Sequence, residues 1–184
     1  VGWATVNNTD WATYGANGVV ARANDLTTAT TAGLQAGTVT QAVLFNPGVA
    51  PAAATANVVS SVITFEPTVA GLTLPMGAFT MAGIALMHRG ANDFSITGTA
   101  GILTGSAATR YIYVMNPAAV LSTDALLNSA QPITKSGDGT LALTGASSQI
   151  SFATNQNINL CGGVLRGTAA ALNGATSAGG AFST

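Results

Sequence analysis

The chain has 184 residues, of which five are Lys or Arg and six are Asp or Glu, giving a formal net charge of −1. Charged side chains make up 6% of it, against roughly 25% in an average soluble domain, while hydrophobic residues reach 48% and glycines number 22. A basic nucleic-acid surface is excluded, because Arg22, Arg89, Arg110, Lys135 and Arg166 stand apart, and a disulfide framework is excluded because Cys161 is the only cysteine.

The apolar residues fall in short runs that Gly, Thr, Ser or Asn interrupts, so no membrane-spanning segment is predicted. Solubility then rests on hydroxyls and amides, a surface that hydrogen-bonds to water, to neighbouring chains or to sugars. Cys161, flanked by apolar residues in "INLCGGVL", reads as a small buried hydrophobe. The chain opens at Val1 and closes on "GGAFST", which reads as a processed chain or a piece of a longer one.

In chain order, the first feature is "WATVNNTDWATY", which repeats Trp-Ala-Thr and gathers Trp3, Trp11 and Tyr14. Two readings compete: a platform on which sugar rings stack, and a hydrophobic plug over the open first rung. The plug is preferred, because a stack of repeats needs its end covered. The Ala-rich pieces at 50–56 and 168–175 are too short and too interrupted to predict sustained helices.

From residue 58 onward, short β-rich runs alternate with Gly, Asn or Pro. Strands are predicted at 58–65, 71–74, 78–83, 84–90, 93–98, 100–105, 110–116, 119–123, 132–137, 140–145, 149–154 and 158–167. The pattern predicts an all-β chain, either a sandwich or a solenoid. Irregular turn lengths and small aliphatic inward residues favour a right-handed parallel β-helix of roughly three short strands per rung, with roughly eight rungs of ~22 residues. Low charge fits, because like charges stacked rung on rung repel. Residues 1–56 are expected to form a cap and first strands, and 57–184 the β-helical body, continuing or docking beyond its C-terminus.

One segment carries more than rhythm. "ITKSGDGTLALTG" at 133–145 resembles the autotransporter-associated β-strand repeat: Thr134, Lys135, Gly137, Gly139, Thr140, Leu141, Leu143 and Gly145 fall on that repeat's pattern. Residues 60–87 and 10–21 are similar, more loosely, to the strands and cap region of such passenger proteins. Downstream, 147–167 lacks the aromatic-Gly-Gly element of the repeat but keeps Gly162-Gly163-Val164-Leu165. The resemblance implies a secreted, surface-exposed parallel β-helix of structural or adhesive role, with no catalytic residue to transfer.

The candidate chemistry is sparse. Asp93 and Asp124 are the one pair of acids whose spacing could stack them in a solenoid, with Arg89 or Arg110 as charge partner; the alternative is that each acid holds backbone amides in a turn. His88 is the only histidine and reads as a solvated strand-end residue. Lys135 and "SGDGT" form no phosphate loop, since no Gly-Lys-Ser/Thr follows. Asp138 reads as a turn residue, and Tyr111 and Tyr113 as a two-ring ladder on one strand face. No catalytic residue, cofactor or metal is predicted. The expected role is a non-enzymatic, self-associating structural or adhesive protein of a bacterial surface, with other copies of itself or surface components as partners. A carbohydrate-active or glycan-binding module, with polysaccharide as partner, is the alternative.

Overall fold

The protein is described from a computed structural model covering residues 4–7, 10–16, 18–104, 109–129, 131–146, 150–152, 158–172 and 182–183. It opens with an antiparallel meander of β1 (Thr5–Val6), β2 (Asp10–Gly15) and β3 (Gly18–Ala21), followed by β4 (Leu26–Thr28), α1 (Thr31–Gln35) and β5 (Ala42–Phe45). Turns of three strands then follow. The first holds β6 (Val58–Val59), β7 (Val62–Phe65) and β8 (Leu72–Gly77); the second β9 (Met81–Ala82), β10 (Ala85–His88) and β11 (Phe94–Gly98). The third holds β12 (Gly101–Thr104), β13 (Arg110–Val114) and β14 (Val120–Thr123); the fourth β15 (Leu126–Ser129), β16 (Ile133–Ser136) and β17 (Thr140–Leu143). The fifth holds β18 (Ile150–Phe152), β19 (Ile158–Leu160) and β20 (Val164–Gly167), before α2 (Ala169–Leu172) and β21 (Phe182–Ser183).

Like strands of successive turns pair in parallel. Sheet I is eight-stranded, in the order β21-β19-β16-β13-β10-β7-β5-β4; sheet II (β8, β11, β14, β17, β20) and sheet III (β6, β9, β12, β15, β18) are five-stranded. The chain is therefore a parallel β-solenoid. Register pairs Val43 with Ile63, Ile63 with Leu86, Leu86 with Ile112 and Ile112 with Lys135, so a turn takes about 20–26 residues. The motif at 133–145 does not close on itself: β16 lies in sheet I and β17 in sheet II, each paired to neighbouring turns. It is one corner of a rung, with its two strands on different walls.

The alternation of each strand explains why these residues stack. Inward positions of sheet I carry Val43, Ile63, Leu86 and Ile112 in one row and Phe45 and Phe65 in the next, all fully buried. Sheet II contributes Leu74, Phe94 and Ile96, and sheet III Val58, Met81 and Leu127. Each fully buried aliphatic or aromatic side chain is worth about 1.5–3 kcal/mol. Three rings lock the early turns together, with Phe65 stacked on Phe94 at 5.2 Å and Phe45 edge-on to Phe65 at 6.3 Å.

Both ends of this core carry a short helix. Leu34 of α1 enters the core fully buried, and Thr30 caps α1 by accepting from the Gly33 amide at 3.1 Å. At the other end Ala171 of α2 is buried in the same core and Leu172 packs against it. Of the sequence expectations, the solenoid holds, but among the described residues about five turns of three strands stand where roughly eight rungs were expected. Where a cap and first strands are expected over 1–56, the described residues form the meander, α1 and the sheet I strands β4 and β5.

The aromatic plug also sits elsewhere than expected. Trp11 packs on the outer face of sheet I with Ala42, Val62, Ala85, Met87 and Tyr113, and its indole Nε1 donates to Thr64 Oγ1 at 2.9 Å. The meander thus lies along the flank of the solenoid, across several turns. Those outward positions (Val62, Ala85, Met87) are apolar, so sheet I needs a cover on its outside as well as a core within. Arg89 completes the attachment: it donates to Glu66 Oε2 at 2.8 Å from the sheet I corner and pairs with Asp10 of β2.

Phe65→Ala, which empties the centre of the ring cluster, is expected to cost about 3–5 kcal/mol. Urea titration should show a lower midpoint with an unchanged slope.

Candidate functional site

The motif that stood out in the sequence builds the most polar interior feature. Along β16, Ile133 and Lys135 point inward and Thr134 outward, so a lysine enters a row otherwise made of Ile63, Leu86 and Ile112. Lys135 is fully buried. Its Nζ donates to the carbonyl oxygens of Gly137 at 2.7 Å, Gly139 at 2.8 Å, Gly162 at 2.9 Å and Ser136 at 3.0 Å. The aliphatic stem fills the core and the ammonium neutralises the corner carbonyls of two successive turns.

The glycines make that convergence fit. Gly137 and Gly163 have φ of 77° and 67°, the left-handed region that favours glycine. A Cβ on Gly163 would lie 2.3 Å from the Gly137 oxygen and 2.6 Å from Lys135 Nζ, so a side chain there would displace the cage itself. Burial pushes the Lys135 pKa down to about 8, and the charge of nearby Asp138 opposes that shift. Asp138 is exposed at the corner, as expected of a turn residue. With its nitrogen enclosed by carbonyls, Lys135 ties turns together and presents no free nucleophile.

Beside the corner, a groove of about 210 Å³ opens between the meander and sheet I, lined among others by Thr5, Tyr113, Met115, Asp138, Cys161 and Gly162. Cys161 is exposed there, where the sequence pattern predicts a buried hydrophobe. It is the residue after Leu160, so strand alternation turns it outward, and its amide donates to the Lys135 carbonyl at 2.8 Å.

The pair of acids is not assembled. Register places Asp93 just before β11 and Asp124 just after β14, at opposite ends of adjacent sheet II strands, four residues or ~13 Å apart. Asp93 Oδ1 accepts from the Val120 amide at 2.8 Å and Asp124 Oδ1 from the Gly98 amide at 2.8 Å. Each acid therefore holds a backbone donor of the neighbouring turn. Asp25 acts alike on the Ala42 amide at 2.6 Å, and that bond, aided by Arg22, holds its pKa below the usual value.

The proposed charge partners also serve elsewhere. Arg89 is engaged by Glu66 and Asp10. Arg110 is buried at the start of β13, where desolvation lowers its pKa and its Nε has no hydrogen-bond partner among the described residues.

His88 departs most from expectation. It is fully buried, because it occupies the inward row of sheet I between Phe65 and Val114 in register. Its Nδ1 lies 3.2 Å from the Phe65 carbonyl oxygen, Nε2 has no hydrogen-bond partner among the described residues, and burial lowers its pKa. A final apolar-strand position looks like an exit to solvent; the row it belongs to cannot be read without the register.

Of the aromatics, Tyr111 and Tyr113 stack at 6.4 Å with 23° between planes, but Tyr113 is covered edge-on by Trp11 at 5.5 Å. Tyr14 is exposed, and Trp3 lies outside the described residues. No three His, Cys, Asp or Glu side chains among the described residues come close enough to hold a metal ion. Comparison with protein-family models, with curated proteins and with solved structures finds no match to this chain.

Lys135→Met keeps the stem but leaves the corner carbonyls without their donor, and is expected to cost about 3 kcal/mol by urea titration. Lys135→Arg should not restore it, because a planar fork cannot converge on that cage. For His88 the folded pKa lies below the unfolded 6.5, so its contribution to stability is complete above pH 6.5 and falls as acid charges the unfolded chain. Thermal melts of the wild type should lose stability as the pH falls below 6.5, and His88→Phe should flatten that slope.

Proposed function

We propose that this chain is a non-enzymatic structural or adhesive element of an extracellular surface, whose work is to present a stiff rod that associates with further copies of itself. The observation that carries the reading is the role of its charged groups. Lys135 binds carbonyls of two turns, Arg89 bridges Glu66 and Asp10, and Asp25, Asp93 and Asp124 each hold an amide of a neighbouring turn. Side chains that elsewhere perform chemistry here reinforce the rod.

The outer face of sheet II supports close packing between rods. Thr73, Ser95 and Ser122 form one outward row in register, and Ser122 Oγ donates to Ser95 Oγ at 3.0 Å. Over those three turns short, uncharged hydroxyl side chains leave a flat surface with little desolvation cost, and in register the row continues through Ala142 to the exposed Arg166 at its far end. The resemblance of residues 133–145 to a repeat of secreted passenger proteins points the same way.

Electron microscopy of the purified chain over a range of concentrations provides the test. Fibres or sheets, with X-ray fibre reflections near the ~4.8 Å strand spacing along the rod, are expected. Monodisperse particles at every concentration would sink the reading.

A further inference from the structure

The meander that covers sheet I has an edge of its own. β3 pairs with β2 on one side, through Tyr14 with Val19, Thr13 with Val20 and Ala12 with Ala21. It ends its three-stranded sheet, and among the described residues no strand pairs with its other edge. All four β3 residues are exposed, including Val19 at 58% and Val20 at 39%, beside Tyr14 at 75%.

Which backbone groups face outward follows from the hairpin. The Arg22 amide donates to the Trp11 carbonyl at 2.6 Å, so Trp11 and Arg22 form a hydrogen-bonded pair. Antiparallel pairs alternate, hence Thr13–Val20 is also hydrogen-bonded, while Ala12–Ala21 and Tyr14–Val19 are not. The N–H and C=O of Val19 and of Ala21 therefore point to the free edge.

Natural edges are blunted by lysine, proline or a bulge, and Gly18-Val19-Val20-Ala21 has none of these. The nearest charges are already paired: Arg22 donates to Asp25 at 3.2 Å and to the Thr40 carbonyl at 2.8 Å. The strand is also complementary to itself. An antiparallel copy related by a twofold axis at Val20 sets Val19 opposite Ala21 and Ala21 opposite Val19. Both residues then exchange N–H and C=O bonds, with no charge facing a like charge.

We infer that β3 is a self-association edge, through which two copies of this chain join their meanders into one continuous six-stranded antiparallel sheet on a twofold axis. The inference rests on the self-associating reading above and gives it a surface. In such a dimer each rod is held side by side with its partner through the flank of sheet I, leaving the outer face of sheet II free for a second contact.

The test is sedimentation equilibrium on the wild type and on Val19→Pro, Ala21→Pro and Val19→Lys. Each proline removes one outward N–H and leaves the β2–β3 hydrogen bonds in place; the lysine adds a charge at the edge without touching any backbone bond. Fluorescence in a Trp3→Phe background, where Trp11 is the one tryptophan left, reports whether the meander remains docked in each variant. Concentration-dependent dimers in the wild type, weakened about ten-fold or more in all three variants with unchanged Trp11 emission, are expected. Wild-type assembly that the three variants leave unaltered would overturn the edge and leave the self-associating reading standing. A wild type that stays monomeric at every concentration would overturn both. Should a proline undock the meander, Val19→Lys alone decides: weakened dimers support the edge, and unaltered ones overturn it.

Discussion

Everything in this molecule depends on parallel strands stacked in register, turn upon turn. Strands inside each sheet of the rod hydrogen-bond to the turn before and the turn after, and their inward side chains sit on those of their neighbours. Because side chains in adjacent turns lie ~4.8 Å apart, whatever occupies one position must tolerate its like directly above it. Aliphatic side chains and rings meet that condition, as Ile63, Leu86 and Ile112 show. Lys135 meets it because corner carbonyls are brought to its ammonium. That constraint explains a sequence almost without charge, and it explains why the buried charge of Lys135 is met by a ring of carbonyls.

The same constraint decides how much of the fold could be read beforehand. Strand content and the solenoid were legible, because period-two alternation broken by Gly and Asn marks strands and corners wherever the chain lies. Corners within apolar runs were not. Residues 58–65 read as one strand, yet the chain turns at Ser60-Ser61, and 158–167 turns at Gly162-Gly163. Strand β15, with Leu126 and Leu127 next to each other, gave no alternation to detect. Helix α1 is a single turn whose place comes from Leu34 filling the core end, a tertiary reason with no local signature.

Side-chain roles followed a similar division. The acids were legible as turn residues, and Asp93, Asp124 and Asp138 stand in turns. Lys135 was identified by its motif but its task was hidden, since the carbonyls it binds come partly from Gly162, 27 residues onward. The burial of His88 and the exposure of Cys161 both turn on which side of sheet I a residue faces. Parity along a strand fixes that face, and parity needs a reference residue that only the register supplies.

The meander has a consequence for how the chain comes to be folded. Trp11 bonds to Thr64, 53 residues away, and Asp10 to Arg89, 79 residues away, whereas neighbouring turns need contacts only about one turn apart. The rod can therefore wind up progressively during synthesis, each new turn templated on the last. The strands that precede the rod are not the first to settle: β2 must wait until the second turn exists and the third has supplied Tyr113. Until then the apolar flank of sheet I and the meander that will cover it are both bare, and closing them onto each other is the step that shields both.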